Sequence, residues 1–126
     1  MLIMSRNSLG LILAAVLAWS LGAQAAAAAE PAPAAFAACQ ACHSTDPARR
    51  TFGPSLAGVA GRKAGSLPGY AYSEALKGSG LTWDQASLDR WLAGPARLVP
   101  GAKMPFGGIA DPARRAEVVR YLMTLR

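Results

Sequence analysis

The pattern of apolar and polar residues along the chain predicts short helices. The most regular stretch follows Thr82 and Gln85, which have the spacing of a capping box, and it ends at Gly94-Pro95. One helical face of this stretch carries Leu88, Trp91 and Leu92. A second amphipathic stretch begins at Asp111-Pro112, a good cap followed by a first-turn proline. Its apolar stripe consists of Val118, Tyr121, Leu122 and Leu125.

Weaker signals predict two more short helices earlier in the chain. Residues 34–42 are alanine-rich, and Ser73 can cap a further helix that Gly78 stops. Segments 44–69 and 95–108 are rich in glycine and proline, which indicates loops. A loop as long as the first usually wraps a ligand. No alternating strand pattern rises above noise, so the predicted fold class is all-α, with three or four short helices and long loops.

The first 25 residues have the layout of a secretory signal peptide. Arg6 precedes an uncharged, mostly apolar run from Leu9 to Leu21, and Ala23-Gln24-Ala25 supplies small residues for cleavage. The run is shorter than the ~20 residues of a membrane span, and no second run follows. We expect cleavage after residue 25, or as late as residue 29, and a periplasmic chain without stable membrane insertion. We then predict a disordered leader over residues 26–34 and one domain over residues 35–126.

The chain after residue 25 has too few large apolar residues to build a core alone. Ile, Val, Leu and Phe make up 17 of the 101 residues from 26 to 126. This is below the ~20% under which a charged chain often fails to fold by itself. Something else must complete the core, and a large self-sufficient enzyme is excluded.

The segment from Cys39 to His43 is the strongest chemical signal in the sequence. C-x-x-C-H is the attachment signature of a c-type haem, because two thiols on one helical turn can each join one porphyrin vinyl group. The adjacent imidazole then becomes an axial iron ligand. A structural disulfide and a thioredoxin-like redox pair are the alternatives, although the second would need a βαβ context. A zinc site would need about four ligands, and His43 is the only histidine. One covalent haem c would also supply the missing core.

Bis-histidine ligation is excluded because His43 is the only histidine, so the candidates for a second axial ligand are the methionines. Met123 lies in the predicted C-terminal helix, where a methionine is more often core filling. Met104 lies in a loop rich in proline and glycine, which favours it as the ligand. A His/Met haem has no open iron position, so it suits a one-electron carrier and not an enzyme.

With these residues in place, the chain from Phe36 to Leu125 resembles class I cytochrome c of the mitochondrial and α-proteobacterial type. Beyond residues 39–43, the resemblance rests on the motifs Gly53-Pro54-x-Leu56-x-Gly58, Gly61-Arg62-Lys63-Ala64-Gly65, Pro68-Gly69-Tyr70-x-Tyr72, Trp83 and Val99-Pro100-Gly101-x-Lys103-Met104-Pro105-Phe106. It implies the cytochrome c fold around one covalent haem.

The resemblance also implies a role for each matching residue. His43 and Met104 are then the axial ligands, and the Pro54 carbonyl accepts the N–H of His43. A haem propionate is held by Arg62, Tyr72 and Trp83. Phe106 shields the haem beside Met104, while Phe36 meets Tyr121 where the terminal helices cross.

Some positions depart from the family pattern. Ala102 stands where a threonine commonly donates a hydrogen bond to a propionate. Trp91 replaces a frequent tyrosine whose hydroxyl reaches the ligand sulfur, so we expect a shifted potential. The family's lysine cluster is thin, because only Arg97 and Lys103 match it while Ala96, Ala110 and Asp111 fill other places.

The basic net charge is consistent with two interpretations, solubility alone or steering toward a redox partner with an acidic surface. Loss of Arg6 leaves twelve basic and seven acidic residues, a net charge of +5. A positive rim on the haem-bearing face would speed docking onto acidic patches of redox proteins. Its basic residues are Arg49, Arg50, Arg62, Lys63, Arg97 and Lys103. Nucleic acid is not an expected partner of an exported chain.

The first functional hypothesis is a soluble, monomeric electron carrier. Its donor would be a quinol–cytochrome c reductase or a periplasmic dehydrogenase, and its acceptor a terminal oxidase or reductase. The alternatives are a dedicated cytochrome subunit of a periplasmic dehydrogenase, an open-haem peroxidase or gas sensor, and a thiol-redox protein.

Overall fold

The computed structural model describes residues 30–125, and this part of the chain contains five α-helices and one 3₁₀ turn. The predicted signal peptide and residues 26–29 of the predicted leader lie outside the described residues. The elements are the 3₁₀ turn Ala34–Phe36, α1 (Ala37–Gln40), α2 (Glu74–Lys77), α3 (Gln85–Ala93), α4 (Pro95–Leu98) and α5 (Pro112–Thr124). Three of the five helices are single turns of four residues. The all-α prediction is confirmed, and α4 is the element that the sequence pattern missed.

Side-chain caps start α2, α3 and α5, and those of α2 and α5 lie at the predicted places, whereas α1 and α4 have no side-chain cap. The Ser73 hydroxyl accepts the Leu76 N–H at the start of α2, and Asp111 caps α5. The predicted Thr82–Gln85 capping box is wrong, because the box is formed by Asp84 and Ser87. Ser87 N–H donates to Asp84 Oδ1 at 2.7 Å, and the Ser87 hydroxyl accepts the Asp84 N–H at 3.0 Å. The helix therefore begins two residues later than the Thr82 cap would place it.

The longest helices, α3 and α5, pack on each other and enclose the core with the N-terminal turn. Phe36 and Val118 are completely buried, and the N-terminal turn contacts α5. The Phe36 and Tyr121 rings meet edge to face with centroids 4.8 Å apart, as the resemblance implies. Within residues 30–125, no helix has the length and apolarity that a membrane crossing requires.

The long loop between α1 and α2 is fixed by backbone contacts rather than by secondary structure of its own. Its residues 61–64 run antiparallel to residues 81–83, with a bridge between Lys63 and Thr82. The Trp83 N–H donates to the Arg62 carbonyl at 2.9 Å, and the Gly61 N–H donates to the Trp83 carbonyl at 2.8 Å. This pairing brings Arg62 and Trp83 together beside the core.

Candidate cofactor site

All nine residues singled out from the sequence line one cavity of about 200 Å³ beside the core. They are Cys39, Cys42, His43, Pro54, Arg62, Tyr72, Trp83, Met104 and Phe106. The rest of the lining is mostly apolar and comes from α2, α3, α5 and the long loop, including Leu56, Val59, Leu76, Leu88, Trp91, Leu92 and Leu122. The core of this small chain is therefore built around the cavity.

The attachment segment, residues 39–43, continues from α1 into the cavity wall. The His43 N–H donates to the Cys39 carbonyl at 2.9 Å, so the last helical turn carries the imidazole. Both thiols are free and half-buried, which means that they form no disulfide in this structure. Burial raises the pKa of the Cys39 thiol, so at neutral pH this sulfur is protonated.

The imidazole of His43 is held from behind by the loop that follows it. Its Nδ1 lies 2.7 Å from the Pro54 carbonyl oxygen, and since a carbonyl only accepts, Nδ1 carries the proton. Nε2 is then the ring nitrogen with a lone pair for a metal. Gly53 packs directly against the ring, because a Cβ there would lie 2.6 Å from His43 Cε1. Gly53 belongs to one of the motifs that carry the family resemblance, but its contact with the imidazole is not predicted from the sequence.

Polar donors at the cavity wall come from the paired residues 61–64 and 81–83 and from the loop before α2. The Arg62 guanidinium donates to the Ser55 carbonyl at 2.9 Å and to the Ala57 carbonyl at 3.0 Å, which fixes its position and leaves three N–H groups. Burial raises the pKa of the Tyr72 phenol, and the nearby Arg62 charge opposes that shift. The cavity is thus apolar with a cationic, hydrogen-bonding wall.

The structure separates the two candidate methionines. Met104 is half-buried in the cavity wall, between Lys103 and Pro105 on the loop that joins α4 to α5. Met123 packs against the core from α5 and does not line the cavity. Trp91 lies in the cavity wall, and the centroid of its ring is 5.2 Å from that of Trp83. Ala102 has no polar side-chain atom, so it cannot donate the hydrogen bond that a threonine there would give to a propionate.

These residues fit a c-type haem. A flat, mostly apolar cofactor matches the apolar lining, the two free thiols are the attachment groups, and the His43 tautomer leaves Nε2 for iron. Arg62, Tyr72 and Trp83 supply donors for its carboxylates. The fold and the cavity therefore define an all-α protein with one covalent haem.

Comparisons with known proteins give the same class and name the family. Residues 29–126 match the family model described as cytochrome c. The chain is 50% identical over 94 residues to cytochrome c2 iso-2 of Magnetospirillum fulvum, which covers 75% of this chain and 98% of that one. It is 46% identical over 111 residues to cytochrome c2 of Rhodomicrobium vannielii, covering 87% and 89%.

A solved structure agrees in fold. Cytochrome cH from Methylobacterium extorquens superposes with a TM-score of 0.66 and 54% identity, and the match covers 71% of this chain and 91% of that one. The chain belongs to the cytochrome c family. It is an electron carrier with a single covalently bound haem c, and the zinc and thiol-redox alternatives for the cysteine pair are set aside.

Proposed function

We propose that His43 and Met104 are the two axial ligands and that the chain is a carrier without enzymatic activity. The observation that supports this most directly is that the two side chains line one cavity while Met123 lies outside it. Haem c supplies one-electron exchange between ferric and ferrous iron when it is bound. With imidazole and thioether both committed, no coordination position is left for a substrate.

Each remaining cavity residue has a holding role in this proposal. Pro54 keeps the imidazole protonated at Nδ1 and fixes its orientation. Arg62, Tyr72 and Trp83 donate to a propionate, and Phe106 covers the cavity beside Met104. Because Arg62 is already held by two carbonyls, it needs little rearrangement to meet a carboxylate.

The absorption spectrum of the ferric protein tests the ligand set. We expect a far-red sulfur-to-iron band in the wild type and in Met123→Leu, and its loss in Met104→Ala. The reduced wild type should not bind carbon monoxide readily at neutral pH, whereas Met104→Ala should. Fast stoichiometric binding by the wild type would replace this proposal with an open-haem sensor or peroxidase.

We further propose that the chain works in the periplasm and docks on acidic patches of redox proteins. The export pattern of residues 1–25 and five exposed basic residues, four on loops and one on α4, support this. They are Arg49, Arg50, Lys63, Arg97 and Lys103, whereas the guanidinium of Arg62 is turned to the backbone at the cavity wall. Donors and acceptors of the proposed kind are a quinol-oxidising reductase or periplasmic dehydrogenase and a terminal oxidase or reductase.

Ionic strength tests the docking mode. The rate of reduction by a quinol–cytochrome c reductase should fall steeply as salt shortens the screening length from about 30 Å to about 8 Å. Lys103→Gln should lower the low-salt rate more than Arg120→Gln, an exposed control on α5 that does not line the cavity. Equal effects of the two variants would show that net charge, and not a local rim, governs docking.

A further inference from the structure

The methionine loop, residues 99–110, is held at its ends and by little in between. Near its start, the Ala102 N–H donates to the Val99 carbonyl at 3.0 Å. Among the described residues, the hydrogen bond found within segment 103–108 is local, from the Phe106 N–H to the Met104 carbonyl at 2.9 Å. The position of the Met104 sulfur therefore depends on how firmly the loop ends are fixed.

The downstream end is fixed by a closed ring of contacts between α3 and α5. The Ile109 N–H donates to the Leu92 carbonyl of α3 at 2.7 Å. The Ile109 carbonyl accepts from Arg115 Nη1 of α5 at 2.8 Å, and Arg115 Nε donates to Asp89 Oδ1 of α3, also at 2.8 Å. Arg115 thus holds the loop backbone with one nitrogen and α3 with another.

The burial of Arg115 gives this ring more strength than a surface ion pair has. The Arg115 side chain is 14% exposed and that of Asp89 46%. Its hydrogen bonds are charge-assisted and partly shielded from water, which makes them roughly twice as strong as neutral ones. Arg114, next along α5, pairs with Asp111 at 3.9 Å with 73% and 53% of the side chains exposed, and such pairs stabilise little.

We propose that Arg115, oriented by Asp89, is a positioning residue that keeps the Met104 thioether in place. This inference rests on the proposed ligation by Met104. The ring lies five residues downstream of Met104 and ties its loop to the two longest helices. Breaking the ring frees the loop end, so the loop opens more often and the sulfur leaves its position more readily.

Imidazole binding to the ferric holoprotein measures this opening, because imidazole competes with the thioether for the same position. We expect Arg115→Met to raise the apparent affinity for imidazole by about ten- to a hundredfold, which corresponds to loss of a hydrogen bond to a charged group. Asp89→Asn should give a smaller increase in the same direction. Arg115→Lys keeps the charge but not the two-point contact, so it should fall between wild type and Arg115→Met.

Arg114→Met is the matched control, since it removes an arginine from the same helix without touching the loop. Unfolding by guanidinium is measured on every variant. An unchanged imidazole affinity in Arg115→Met, or an increase fully explained by its loss of global stability, would overturn the positioning role while leaving Met104 ligation intact. If the wild type lacks the sulfur-to-iron band, the ligation fails and this inference fails with it. If Arg115→Met does not fold, the Asp89→Asn and Arg115→Lys affinities decide in the same way.

Discussion

The attachment segment and the methionine loop supply residues to the same cavity, but the structure holds them differently. His43 is fixed by its own helical turn and by Pro54, eleven residues away. Met104 depends on contacts at the loop ends, one of which joins residues 26 positions apart on α3 and α5. One candidate ligand is thus placed by local sequence and the other by tertiary structure, so different substitutions should release them.

The largest effect is expected from removing both attachment thiols. Cys39→Ser with Cys42→Ser should yield a chain without covalent haem, because no thiol remains to form the thioether bonds. Since the core is built around the cavity, this variant should also lose cooperative unfolding. Mass spectrometry and circular dichroism during heating measure both outcomes. A cooperative transition in the haem-free variant would mean that the cavity walls are stable by themselves.

The next largest effect should come from Gly108→Ala, which targets the methionine loop. Gly108 has φ +103°, and a Cβ there would overlap the carbonyl oxygen of Ala93. Backbone strain and crowding together should cost roughly 2 to 5 kcal/mol in unfolding free energy. The sulfur-to-iron band should weaken while covalent haem is retained. Gly107→Ala is the control, because a Cβ there meets no atom within 4 Å.

Gly53→Ala applies the same test to the His43 side, with a smaller effect. The added Cβ would lie 2.6 Å from His43 Cε1 and 2.9 Å from the Cys42 carbonyl oxygen, but the backbone is not left-handed. We expect a loss of about 1 to 3 kcal/mol, measured by denaturant unfolding. If the sulfur-to-iron band survives in Gly53→Ala and fades in Gly108→Ala, the His43 side and the methionine loop are held independently. Equal loss of the band in both variants would argue that the two sides are one cooperative unit.

The smallest effect concerns the start of α3, the helix that both regions share. The Asp84 carboxylate accepts hydrogen bonds from Ser87, which lowers its pKa below the ordinary 3.8. Stability from this cap is therefore complete above pH 3.8 and is lost as the pH falls through the lower folded-state pKa. Asp84→Asn keeps an acceptor but not the charge, so wild type should be more stable at pH 6, with the gap closing in acid. A gap that persists in acid, after the Asp84 carboxylate is protonated in the folded state, would assign the difference to geometry instead of charge.

The sequence was sufficient for features that depend on neighbouring residues. The attachment segment, the caps at Ser73 and Asp111, and the end of α3 at Gly94 are all encoded within a few positions. The pattern does not predict α4 because Gly94-Pro95 marks the end of α3, but a proline in the first turn can also start a helix, as Pro95 does. The α3 cap was misplaced because Thr82 has the right spacing, but it is paired with Lys63 instead.

Long-range features of the site had no local signal. Asp89 and Arg115 are ordinary charged residues on separate helices until folding brings them together around Ile109. The contact of Gly53 with the imidazole likewise depends on the loop turning back onto His43. The sequence favours Met104 because His43 is the only histidine and Met104 lies in a loop. The contacts that hold this loop are visible only in the folded chain.

The contact between Phe36 and Tyr121 joins the N-terminal turn to α5, and it affects when the attachment thiols become covered. The attachment segment follows Phe36 closely along the chain, whereas α5, which carries Tyr121, spans residues 112–124. Until α5 is complete, Phe36 lacks its partner and the two thiols beside it stay accessible. The Cys39 and Cys42 thiols should therefore be most accessible for attachment before α5 docks against the N-terminal turn.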